Sequence, residues 1–123
     1  MNDRTRARLF WLACIPLRVA IAVGGVLLPS VDGAFSLLFG VYCLLTAAGF
    51  TANVVLWWTG HHEGRGGLGG KVWWARIRIL HALLWLAAGV VFLLRGPGGW
   101  ILVADVTVGA VAGGLHHLCA VEW

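Results

Sequence analysis

Charged side chains are nearly missing from this sequence. They make up 11% of 123 residues, with five acidic residues against nine Lys and Arg, while 60% of the chain is hydrophobic. A soluble domain this short has no means of burying so much apolar surface, because small folds hide a lower fraction of what they contain. The shortage of charge therefore excludes an ordinary soluble domain and makes lipid the natural solvent. Cysteine is scarce as well, and Cys14, Cys43 and Cys119 all fall in apolar runs or at their ends. An odd count with no CxxC pair speaks against a disulfide framework and a cysteine zinc site, leaving three small hydrophobes. No basic stripe with interleaved aromatics occurs outside the apolar runs, so the net charge of +4 reflects topology and not nucleic-acid binding. A nucleophile elbow, a carbonyl-type selectivity filter and a phosphate loop are also absent from the pattern. Gly64, Gly66, Gly67, Gly69 and Gly70 do precede Lys71, but Val72 stands where a phosphate loop needs Ser or Thr.

What the chain does have is long apolar runs, at about 9–28, 35–58, 74–94 and 100–121. The second is 24 residues long, which at about 1.5 Å per residue covers the roughly 30 Å of hydrocarbon in a bilayer with tilt to spare. Gly96, Pro97, Gly98 and Gly99 break the chain between the third and fourth runs, and the glycine-rich segment 59–72 forms a loop between the second and third. The expectation is an all-α integral membrane protein, a compact four-transmembrane-helix bundle of up-down-up-down topology in which residues 1–123 form a single transmembrane domain. The Arg-rich start resembles the n-region of a signal peptide, but Arg18 interrupts the apolar core and no clean small-residue cleavage site follows. The first run therefore reads as a true span.

Orientation follows from the basic residues. Arg4, Arg6, Arg8, Arg65, Lys71, Arg76 and Arg78 fall on the side of the N-terminus and the central loop, against Arg95 alone on the other. The positive-inside rule places that side in the cytoplasm of an inner (plasma) membrane, with both termini cytoplasmic. Trp11, Trp57, Trp58, Trp73, Trp74 and Trp123 mark the inner level and Trp100 the outer, whereas Trp85 falls deeper, at a packing position.

Polar residues within the runs single themselves out. Arg18 comes about mid-span, where a charge is costly unless it pairs, snorkels or meets water. Pro16 nearby deprives the helix of one hydrogen bond and frees the carbonyl of Leu12. Asp105, the one acid within a run, is the natural partner of Arg18. A second group gathers toward the inner face: His81, His116, His117 and Cys14, with His61 and His62 at the end of the second run. His81 and His116, on separate helices at matching depth, are candidates for two axial ligands to a b-type haem, although their spacing is no recognised metal motif. Asn53 is placed for a hydrogen bond across helices. Small-residue pairs, Gly109 with Gly113, Ala110 with Gly114 and Ala48 with Ala52, allow close helix approach within one chain or between identical neighbours.

Three function classes meet these features. The first is a small oligomeric channel or transporter for protons, ions or small solutes, with Arg18 and Asp105 as its intramembrane pair and the histidines at its inner mouth. The second is a non-catalytic assembly or interaction protein with a membrane-protein partner, and the third a haem-binding redox subunit. Membrane lipids are the expected surroundings in each, and a homo-oligomer follows from the small volume four spans enclose.

Overall fold

In a computed structural model, residues 3–59 and 77–119 are described, and every element among them is helical. Helix α1 (Asp3–Leu9) runs through a π-helical turn (Phe10–Cys14) into α2 (Ile15–Val31), followed by α3 (Gly33–Trp58), α4 (Ile77–Leu93) and α5 (Gly98–Cys119). Three stretches, Ala7–Val31, Gly33–Leu56 and Gly98–Leu118, are long and apolar enough to cross a membrane, and α4 is a shorter apolar helix. Most of the loop 59–72, with His61, His62, Arg65 and Lys71, lies outside the described residues. So do Trp73, Trp74, Arg76, Trp123 and the start of the third run at 74.

Local chemistry explains the breaks. Pro16 has no N–H to offer the carbonyl of Leu12, and its ring crowds that oxygen. The chain responds with the π turn, in which the N–H of Ile15 reaches back five residues to the Phe10 carbonyl, and the helix continues without ending. The residue between α2 and α3 is Asp32, in extended conformation. Its N–H closes on the Leu28 carbonyl at 3.2 Å, and its carboxylate accepts the Ala34 N–H at 2.9 Å, capping α3. Helix α4 ends in a paired arrangement in which Gly96 N–H bonds the Val91 carbonyl at 2.7 Å and Arg95 N–H bonds that of Phe92 at 2.9 Å. Arg95 takes φ 59°, the left-handed position usually given to Gly.

The helices form a ring in which α2 touches α3, α3 touches α4, α4 touches α5 and α5 closes on α2. Glycine determines how closely they approach. A Cβ on Gly99 would fall 2.4 Å from the Gly25 carbonyl carbon, so α2 and α5 touch backbone to backbone there. Pro29 supplies no N–H to the Gly25 carbonyl one turn earlier, and this is the oxygen that Gly99 approaches. Descending α5 from that crossing, Asp105 meets Arg18, Gly109 meets Ile15 and Arg18, and Gly113 meets the Phe10 ring. On the opposite side Gly40 and Gly89 bring α3 against α4, with the Ser36 hydroxyl donating to the Phe92 carbonyl at 2.5 Å.

The core is small: Ala22, Cys43, Ala47, Trp85, Ala88, Phe92 and Leu102. Polar residues share the interior, with Ser36, Arg78, His81 and Asp105 all buried. Large apolar side chains such as Leu12, Leu38, Val31 and Leu118 face outward. That distribution is the reverse of the one water selects.

Candidate functional site

Three helices converge on one carboxylate. Asp105 on α5 is 0% exposed, and the Nδ1–H of His81 on α4 donates to its Oδ1. Its Oδ2 lies 3.7 Å from Nη1 of Arg18 on α2, whose side chain is one-fifth exposed. Gly109, one turn from Asp105, makes room for both bases: a Cβ there would meet Arg18 Nη1 at 3.2 Å and His81 Cε1 at 3.7 Å. Phe50 of α3 completes the enclosure. Its ring stacks on His81 at 5.9 Å between centroids, and the Arg18 guanidinium lies 5.8 Å from its centre.

Electrostatics explains why these residues are together. A carboxylate removed from solvent is costly unless cations and donors replace water. Arg18 supplies the opposite charge and His81 the directed hydrogen bond. The hydrogen bond takes one oxygen, whereas 3.7 Å is too long for another at the second, and Oδ2 has no hydrogen-bond partner among the described residues. The Trp85 Nε1–H, one turn along α4 from His81, is likewise buried without a partner. The arrangement holds a buried acid against two basic side chains contributed by other helices.

The remaining inner-face residues form a separate group. Trp11 Nε1–H donates to His117 Nδ1 at 3.1 Å, and Phe10 packs edge-on against both rings. His116 contacts His117 at 5.0 Å between centroids. Cys14 is exposed in the π turn. The single inner layer expected from helical depth is therefore divided: His81 joins Asp105 and Arg18, while His116 and His117 join the aromatics of the π turn. Among the described residues no three His, Cys, Asp or Glu side chains come together as a metal site would require. Asn53 bonds back to the Gly49 carbonyl of its own helix at 2.9 Å instead of reaching across, because that oxygen is one turn away and always in range. Thr46, Thr51 and Thr107 do the same with Tyr42, Ala47 and Val103.

Depth counted along separate helices kept His81 apart from Asp105. The signals that could have united them are Gly98 and Gly109. A Cβ on Gly98 would strike the Ala88 carbonyl and Phe92, so α5 starts well down α4, and this brings Asp105 and Gly109 to the level of His81. The sequence matches no protein-family model, no curated protein and no solved structure.

Proposed function

We propose that the protein is an inner-membrane, multi-pass transport protein that moves protons or ions past Asp105. Its four apolar helices cross the bilayer up-down-up-down, with both termini cytoplasmic, and identical copies associate in the lipid. The observation that carries this reading is the Asp105 carboxylate, held at zero exposure between a histidine and an arginine contributed by two other helices. Ionisable groups inside a membrane bundle are expensive, and those that persist commonly mark ion paths or proton relays. The excess of basic residues on one side, Arg4, Arg6, Arg8, Arg65, Lys71, Arg76 and Arg78 against Arg95 alone on the other, supports the orientation.

Reconstitution into vesicles with a trapped pH-sensitive dye tests the proposal. Under an imposed membrane potential, wild-type protein dissipates a proton gradient, and Arg18→Gln and Asp105→Asn lower the rate at least tenfold. Absence of flux at every pH, or equal flux in the variants, overturns it.

A second reading, an assembly protein, draws on an open apolar groove of about 630 Å³ lined by Leu44, Ala48, Thr51, Ala52, Val55 and Leu86 among others. Small residues in such a groove allow a neighbouring helix to approach closely. Stable co-purification of one membrane protein, lost on Ala48→Leu, together with zero flux, would favour it over transport.

A further inference from the structure

Asp105 Oδ2 and Trp85 Nε1 are both buried without a hydrogen-bond partner among the described residues. Arg18 Nη1 stands 3.7 Å from Oδ2, beyond hydrogen-bond range, and a polar separation of that size is the span a bridging water fills. The carboxylate has little freedom to close the gap by rotating, because His81 holds Oδ1. The other unpartnered group is Trp85, whose ring packs edge-on against Tyr42 of α3. On α4 it lies between His81, which meets Asp105 and Gly109, and Ala88, which meets Gly98. The part of α5 at its level is therefore the turn carrying Leu102 and Asp105, and Leu102 and Trp85 belong to the same core cluster. Trp85 is 3% exposed, and its Nε1–H has no partner among the described residues. One buried donor, the Trp85 indole, and one partly exposed donor, the Arg18 guanidinium, thus accompany one buried acceptor, and among the described residues none hydrogen-bonds another.

We infer that one water molecule is held between Arg18, Trp85 and Asp105, accepting from Arg18 Nη1–H and Trp85 Nε1–H and donating to Asp105 Oδ2. Buried waters typically make about three hydrogen bonds to groups that would otherwise go unsatisfied. The arrangement supplies that number and assigns each a direction. Indole nitrogen and guanidinium have no lone pair to accept with, so the water's oxygen must serve both donors. One of its protons then goes to the carboxylate, and the other O–H remains to extend the chain. Trp85 fixes the water but takes no part in proton movement, since it has only a donor. The water site stands on this geometry alone. Its role as a link in a proton path rests on the transport reading above.

Full-length protein with ¹⁵N-labelled indoles, in detergent micelles, provides the test. Trp85→Phe assigns the Trp85 Hε1 resonance by removing it. In wild type that proton is expected to show a rotating-frame cross-peak to water with the sign of direct contact, not of exchange. The cross-peak is expected to vanish in Asp105→Leu. No cross-peak in wild type overturns the inference whether or not Asp105→Leu folds, and an unchanged cross-peak in folded Asp105→Leu overturns it too. Flux on the same preparations separates the two readings. A missing cross-peak sinks the water site even where protons flow, whereas a cross-peak in a protein that conducts nothing upholds the site and sinks the transport reading.

Discussion

His81 and Asp105 stand 24 positions apart in the chain and are joined side chain to side chain where α4 meets α5. The link unites a buried donor with a buried acceptor, so removing either residue strands the other. Asp105→Leu is expected to cost about 3–5 kcal/mol, because His81 and Arg18 lose their acid together. Replacing both, as His81→Phe with Asp105→Leu, should recover part of this loss, since no buried imidazole is then stranded, only Arg18 is left without its acid, and Phe keeps the stacking on Phe50. Unfolding in detergent measures the cycle. Additive losses, within about 0.5 kcal/mol, would show that the two side chains are not coupled.

Gly99 and Gly49 should respond oppositely to the same substitution. Gly99→Ala drives a methyl into the Gly25 backbone, which has no flexible end to yield, and should cost about 3 kcal/mol or more as α2 and α5 separate. Gly49 has nothing within 4 Å, so Gly49→Ala should raise stability by up to about 1 kcal/mol through helix propensity. Thermal unfolding of the two variants side by side checks the contrast.

Gly109→Ala separates function from stability. The added Cβ meets the far end of the Arg18 side chain at 3.2 Å, which can shift, so stability should change by less than about 0.5 kcal/mol. Arg18 would nevertheless be moved relative to Asp105, and proton flux should fall several-fold. Flux at the wild-type rate in a stable variant would detach Arg18 from the transport reading.

Arg95 holds φ 59°, where a side chain is strained and Gly is not. Arg95→Gly should raise stability by about 0.5–1 kcal/mol, the relief of strain being offset in part by the freer unfolded chain. An unchanged or lower unfolding temperature would mean that the Arg95 side chain contributes more than its backbone costs.

Trp11→Phe removes one hydrogen bond to His117 and keeps an aromatic ring against Phe10. Because the pair is exposed, the loss should be no more than about 1 kcal/mol. Flux should stay at the wild-type level, since this cluster is separate from Asp105; a flux defect would tie the two groups together.

Much of the architecture was open to inspection in the sequence because hydropathy is a local property. Runs such as 35–58 and 100–121 are predominantly apolar, and a helix is the conformation that satisfies their backbone without water. The same logic marked Arg18 and Asp105, since a charge stands out against an apolar background wherever it falls. Pro16 announced a disturbed hydrogen bond near Leu12, but whether the helix would bend, end or take a π turn depended on how the freed groups found new partners. Helix counting failed for the histidines. It gave depth along each axis separately, whereas contact depends on the offset between axes.

By itself, the sequence determined that the described chain is helical, that its helices are apolar enough for a membrane, and that a few polar residues must be accommodated among them. Those conclusions need only neighbouring residues and the cost of unsatisfied polar groups. Tertiary structure alone decided that His81 of α4 meets Asp105 of α5. It likewise decided that Asn53 stays with its own helix, and that Oδ2 of Asp105 and the indole of Trp85 are left to be satisfied together. The offset between α4 and α5 is set where Gly98 meets the Ala88 carbonyl and Phe92, about two turns from Asp105, and a shift of one turn there would give Asp105 a different partner.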